Sequence, residues 1–277
     1  MLIVAARESE ELAKRDLFLR DSGFSFTDIK ERLKTSLLGQ EILVYSNLDS
    51  TNARAMKLAE AGAAEGTVVI AEEQYQGRGR SGRAWVSPKG GLWLSIIFRP
   101  FLGPAEVFRL SMIASLAAAE TIFLFTGLKA EVKWPNDVLI NGRKVGGILL
   151  EMLAGSDSTL FVILGMGINV NFCPKQLPTI SEIATSLLQE TGRHFSRTDM
   201  LTCLLEKIEK GYLALTAGGF PAVFDQWKAL LRDMGKWVEI NTPYGKQRGV
   251  VESVDENGTL TLKLPDGQRV KIAIDLS

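Results

Sequence analysis

The chain has 277 residues, 46% of them hydrophobic, which suits one large folded unit, or one with a small companion, around a substantial core. Lys plus Arg and Asp plus Glu balance at 32 each, so no net charge draws the chain toward nucleic acid or an anionic membrane, and any basic site must be local. The single histidine, His194, lies in the polar run Thr191-Gly192-Arg193-His194 and reads as a surface residue, which excludes Ser-His-Asp hydrolysis, Cys-His chemistry and multi-histidine zinc sites.

The start, Met1-Leu2-Ile3-Val4-Ala5-Ala6-Arg7, is too short and wrongly flanked for a signal peptide. No window reaches the roughly 18 continuous apolar residues of a membrane span. A soluble, cytoplasmic protein with no membrane partner is expected. Residues 1–40 are charged and weakly periodic, with one helix predicted over Asp28–Leu38. That leader is too short for a winged helix-turn-helix.

From residue 41 strands and helices alternate. Ile42–Tyr45 reads as a strand, and Thr51–Ala61 as a helix with Asp49, Ser50 or Thr51 as N-cap and Gly62 just past its end. Thr67–Ala71 and Leu92–Phe98 read as strands on either side of a long glycine-rich loop. Pro104 opens a long helix that Gly127 stops. Val138–Ile140 and Val145–Met152 flank Asn141-Gly142, the dipeptide that best favours a tight hairpin. Thr159–Val170 reads as a buried strand interrupted by glycines, and two or three helices fill 181–231. Cys173 and Cys203 show neither metal-site spacing nor a disulfide framework and read as reduced thiols. From 236 onward short strands are separated by turn signals such as Asp255-Glu256-Asn257-Gly258, the pattern of a small all-β barrel. The fold class is α+β with a mixed or antiparallel sheet, followed by a β module.

Gly77-Arg78-Gly79-Arg80-Ser81-Gly82 formally matches the dinucleotide fingerprint. That fingerprint needs a helix after it and an acid about 20 residues on. Here Trp85, Pro88 and Gly90-Gly91 precede a strand, and Arg99 stands where the acid belongs, so the Rossmann reading fails. Glycines let backbone amides approach an anion, and guanidinium groups bind phosphate and carboxylate in pairs of hydrogen bonds. Arg78, Arg80 and Arg83 repel one another, so the loop should be mobile when empty and ordered by an anion. A solvated basic surface loop accounts equally well for the arginine and glycine content taken alone.

Three more stretches accompany this loop. Asp49-Ser50-Thr51-Asn52 precedes it, while Lys133-Trp134-Pro135-Asn136-Asp137, with Lys144 and Gly146–Glu151, and then Gly165–Asn171 follow it. Together with Gly77–Trp85 they resemble, in order and spacing, the motifs of biotin–protein ligases over roughly residues 40–277. The resemblance is to the form lacking an N-terminal DNA-binding domain. It implies a leader over 1–40, a class II synthetase-like catalytic domain over 41–232 and an SH3-like β-barrel over 233–277. It further implies ATP and biotin as substrates, Mg²⁺ as activator, and a biotin carboxyl carrier domain as acceptor. A homodimer through the sheet edge is implied as well, with no nucleic-acid partner. A lipoate or octanoate ligase shares the fold but uses an adjacent arginine pair, which this chain lacks.

By the same resemblance, Ser50, Thr51, Asn52 and Gln74 bind the biotin ureido ring. Arg78, Gly79 and Arg80 cover biotin and the phosphates, Arg83 meets the triphosphate, and Trp85 packs beside the adenylate. Lys144, with its amine free to reach inward, takes the biotin carboxylate and α-phosphate. Asn136 touches the nucleotide, Asn169 lines the ATP site, and Asp137 receives the incoming lysine's proton or helps position metal. Lys144, Arg80 and Asp137 form the catalytic set.

Overall fold

A computed structural model describes residues 23–154, 159–242 and 245–274. Most of the expected leader therefore lies outside the described residues. What is described of it corrects the predicted helix over Asp28–Leu38: helix α1 spans Phe26–Arg32. Ser25 sets its start by accepting from the Asp28 amide. Beyond Leu33 the chain leaves the helix, and the amides of Ser36, Leu37 and Leu38 turn to one carboxylate, Glu209. Three donors converging on an acid 171 to 173 residues away outweigh a local propensity worth tenths of a kcal/mol per residue.

The centre is a seven-stranded mixed sheet in the order β1-β2-β3-β7-β6-β5-β4. The strands are β1 (Ile42–Tyr45), β2 (Val68–Ala71), β3 (Leu92–Phe98), β4 (Glu131–Lys133), β5 (Asp137–Ile140), β6 (Arg143–Ala154) and β7 (Thr159–Ile168). Only β1 and β2 pair in parallel; the other neighbours are antiparallel. The three-residue β4 is the strand that ends just before Pro135. The β5–β6 turn is the expected one, with Asn141 at φ 51° and Gly142 at φ 75°, the two left-handed residues a type I′ hairpin needs.

One face of the sheet, carrying Leu92, Leu94, Ile96, Phe98, Val162 and Leu164, is buried in the main core. Helices α3 (Phe108–Thr126) and α5 (Arg197–Thr216) pack there. The segment Pro104–Thr126 is long and apolar enough to cross a membrane by composition alone, but most of it is covered by protein; it is the central core helix. Gly127 ends it in the left-handed conformation, its amide on the Phe123 carbonyl. On the opposite face α2 (Thr51–Glu60) sets Ala55 and Ala59 against Val69, Ile97 and Ile163. The short α4 (Leu187–Thr191) and α6 (Phe220–Ala229) complete the helices.

Strands β8 (Trp237–Thr242), β9 (Gly245–Val254), β10 (Leu260–Lys263) and β11 (Arg269–Ile272) form a second, antiparallel sheet in the order β11-β10-β9-β8. Its β9–β10 turn locks onto the larger unit. The Gly258 carbonyl accepts from Trp134 Nε1 at 2.9 Å, and Arg109 reaches Asn257. A Cβ on Gly258 would stand 2.2 Å from the Phe108 ring. Val251, Val254, Leu260, Leu262 and Ile272 share the main core.

Candidate active site

Strand register builds the floor of the site. Pairing places Trp93, Gly167, Gly147 and Asp137 in one row across β3, β7, β6 and β5, and Ser95, Gly165 and Leu149 in the next. Side chains alternate faces along a strand, so the three glycines lie on the face opposite the main core. Each is bare because a neighbour lies flat upon it. A Cβ on Gly165 would meet Asn52 Oδ1 at 2.0 Å, and one on Gly167 would meet Trp85 Nε1 at 2.6 Å. On Gly147 it would press on both Trp85 and Lys144.

A cleft of about 1510 Å³ opens over this floor. Every site residue expected from the sequence lines it: Ser50, Thr51 and Asn52 from the α2 start; Gln74; Arg78, Gly79, Arg80, Arg83 and Trp85 from the loop; Asn136, Asp137, Lys144 and Asn169 from the opposite wall. The second sheet contributes Trp237, Val238 and Ile240, which sequence reasoning left without a role.

The α2 end is a hydrogen-bonded network. Ser50 caps the helix through the Ala53 amide. Gln74 Oε1 accepts from the Thr51 amide at 2.7 Å and lies 3.1 Å from its hydroxyl oxygen, while Gln74 Nε2 donates to Ser87 Oγ. Asn52, 4% exposed, donates to Glu151 Oε2 at 2.7 Å and accepts from Ser95 Oγ at 2.6 Å. Ser87, Ser95 and Glu151 have no role in the sequence reading. Ser95 did carry a signal, as the one polar residue in the otherwise apolar Leu92–Phe98.

The glycine–arginine loop has a definite shape. Gly79 and Arg83 bond as a short ladder, Trp85 N–H donates to the Gly77 carbonyl, and Ser81 takes φ 55°. Gly77 is needed for close approach, because a Cβ there would lie 2.3 Å from the Trp85 carbonyl oxygen. Arg78 pairs with Glu151 at 3.1 Å. Trp85 packs edge-on to Trp93, and its buried Nε1–H has no hydrogen-bond partner among the described residues.

Lys144 corrects the expectation of a free amine. Its Nζ lies 2.5 Å from Asp137 Oδ1 and 4.8 Å from the Trp85 ring centre. Its backbone is stapled to the loop before α4 through Ile183 and Thr185. Asn169, 3% exposed, spends its amide hydrogens on the Thr185 and Lys144 carbonyls and so holds the same staple. Glu190 anchors the hairpin above it by accepting from Thr185, Asn141 and Arg143. Burial would raise that carboxyl, but these three partners hold it below the usual range. Asn136 is tied to β6 in both directions, through Nδ2 to the Ile148 carbonyl and through its own carbonyl to the Ile148 amide.

The cleft thus joins hydrogen-bonding groups at a helix start, a flat indole, and the cations Arg78, Arg80, Arg83 and Lys144. Such a site suits two anions brought together. Among the described residues no group of three or more His, Cys, Asp or Glu side chains could hold a metal ion by itself.

Residues 44–169 match the model of the Biotin/lipoate A/B protein ligase family. The chain is 35% identical over 262 residues to the bifunctional ligase/repressor BirA of Bacillus subtilis, covering 94% of this chain and 81% of that one. It is 35% identical to the biotin–[acetyl-CoA-carboxylase] ligase of Paracoccus denitrificans, covering 82% and 96%. Among solved structures, biotin protein ligase from Aquifex aeolicus in complex with biotin and ATP superposes with a TM-score of 0.72 at 28% identity, covering 85% of this chain and 96% of that one. With the family's motifs gathered around a single cleft, the chain belongs to the biotin/lipoate A/B protein ligase family, among its biotin–protein ligases.

Proposed function

We propose that this protein activates biotin with ATP and transfers it to a lysine of a biotin carboxyl carrier protein. In the first step a biotin carboxylate oxygen attacks the α-phosphorus. The bond to the β-phosphate breaks, leaving biotinyl-5′-AMP and pyrophosphate. In the second the carrier lysine amine attacks the acyl carbon, a proton leaves the nitrogen, and AMP departs.

The observation that carries this reading is the convergence of Arg78, Arg80, Arg83 and Lys144 on one glycine-floored cleft beside the Ser50–Asn52 helix start. Both reactants of the first step are anions, so their mutual repulsion is the main obstacle. Cations gathered around one cleft answer it without a nucleophilic side chain. Ser50, Thr51, Asn52 and Gln74 take the ureido end; Arg78, Gly79 and Arg80 cover the acid and phosphates; Arg83 meets the triphosphate. Trp85 flanks the adenylate, and Lys144 bridges carboxylate and α-phosphate once it leaves Asp137. Asp137, so released, is the carboxylate placed to receive the acceptor lysine's proton. Asn136 and Asn169 shape the nucleotide wall. Mg²⁺ would offset charge on the ATP phosphates and would need only one or two protein oxygens, which Asp137 would provide.

The second sheet is taken as an SH3-like barrel over 233–277, packed on a catalytic domain over 41–232. The sheet edge is taken as the surface of a homodimer, and the cytoplasm as the setting of two free thiols. The deciding test is ATP–pyrophosphate exchange with Mg²⁺, run in parallel on biotin, lipoate and octanoate. Exchange that depends on biotin is expected. Exchange that ignores biotin and responds to either of the others overturns the assignment.

A further inference from the structure

Glu151 touches both halves of the site. Its Oε2 accepts from Asn52 Nδ2 at 2.7 Å and its Oε1 from Arg78 Nη1 at 3.1 Å. One carboxylate therefore joins the floor to the loop. Its row partner on β7 is Ile163, so it is the charged group at the apolar end of the site face, beside Ile97 and Ile163.

The donor and acceptor chemistry gives this contact a direction. Asn52 could turn either end of its carboxamide toward Ser95, because a hydroxyl both donates and accepts. A carboxylate only accepts, so Glu151 forces Asn52 Nδ2 toward itself and Asn52 Oδ1 toward Ser95. Ser95 then gives its one proton to Asn52, and Thr51 Oγ1, 2.8 Å away, turns its own proton to Ser95 and leaves Gln74 Oε1 to the Thr51 amide. At the far end the Thr51 amide, which only donates, fixes Gln74 Oε1 inward and Gln74 Nε2 toward Ser87. Donation thus runs outward from Thr51 in two directions, through Ser95 and Asn52 to Glu151 and through Gln74 to Ser87, and the second hydrogens of the Asn52 and Gln74 amides are what the floor offers a ligand.

We infer that Glu151 is a positioning residue, which sets the donor and acceptor polarity of the floor through Asn52 and seats Arg78 of the loop. It touches no reacting atom. Its effect belongs in binding of the acid substrate, and the inference rests on the biotin-ligase reading of the cleft.

The test uses the full chain with Glu151→Ala and Glu151→Gln. In biotin-dependent exchange, Glu151→Ala is expected to raise KM for biotin on the order of tenfold, the scale of one lost buried hydrogen bond, with kcat within about twofold. Glu151→Gln keeps an oxygen for Asn52 and is expected to recover most of that KM. It loses the charge that seats Arg78, so both variants should be cut faster than wild type by trypsin after Arg78 or Arg80 in the absence of ligand. An unchanged KM in Glu151→Ala, or a Gln variant as impaired as the Ala variant, overturns the polarity role. Loop cleavage at the wild-type rate in both variants overturns the seating of Arg78. A wild-type chain without biotin-dependent exchange would defeat the functional reading, and the cleavage arm would still decide the role of Glu151.

Discussion

Lys144 Nζ is held 2.5 Å from Asp137 Oδ1, so the cation expected to meet the substrate anions is paired with a carboxylate of its own wall. Both side chains are about a quarter exposed (28% and 27%), and a pair this wet stabilises the fold by at most about 1 kcal/mol. The arrangement keeps the ammonium proposed to meet the substrate anions over the Trp85 ring at little cost in stability. An arriving carboxylate or phosphate needs only to outcompete Asp137.

Lys144→Ala should therefore separate function from folding. Biotin-dependent exchange is expected to fall by about 100-fold or more, the loss typical of one fixed charge or donor in a transition state. The thermal midpoint should move by no more than about 4 °C. A large drop in midpoint with proportionate loss of activity would make Lys144 a structural residue.

Gly165→Ala should damage the floor directly. The new Cβ would meet Asn52 Oδ1 at 2.0 Å, so Asn52 must leave Ser95 or Glu151. Overpacking of this kind costs roughly 1–3 kcal/mol. Titration calorimetry should show biotin affinity falling by more than tenfold. Wild-type affinity in this variant would mean that Asn52 does not shape the pocket.

Acid stability should report on Glu209. This carboxylate is 7% exposed and accepts from Ser36, Leu37 and Leu38. Burial works to raise its pKa, but the backbone amides outweigh it and hold the group below the usual carboxylate range. A depressed folded-state pKa stabilises the protein at pH values above the unfolded pKa of about 4.3, and that stabilisation is lost as pH falls through the folded value. Glu209→Gln should cost roughly 1–3 kcal/mol at pH 7 in urea melts, with the gap to wild type closing below about pH 4. A gap independent of pH would contradict the charged-acceptor role.

Gly258→Ala probes the coupling of the two sheets. Gly258 has φ +83° and no room beside Phe108. Strain at a left-handed position and overpacking together should cost roughly 2–4 kcal/mol. Because Trp134 donates to the carbonyl of the same residue, the Lys133–Asp137 wall should shift too, raising KM for ATP. A variant with unchanged stability and KM would show that the second sheet only rests against the cleft.

Much of this was written locally. The apolar run Leu92–Phe98, the Ser50 cap, the Asn141-Gly142 hairpin and the Gly127 stop each depend on contacts a few residues long. Periodicity and turn chemistry expose such contacts. The order of the motifs also named the cleft's lining, because a family's site residues keep their spacing. Tertiary structure decided the rest. Glu151 meets Asn52 across 99 residues, and Trp85 rests on Gly147 and Gly167 only because antiparallel register sets those glycines side by side. Lys144 looked free by its place after a turn, yet β5–β6 pairing puts Asp137 within reach of it. The Gly258 turn likewise closes on Phe108 only when two separate sheets share one core. A sequence states which residues can pair. Register and chain closure over long separations choose the partners, and that choice turned a basic loop into one wall of a binding site.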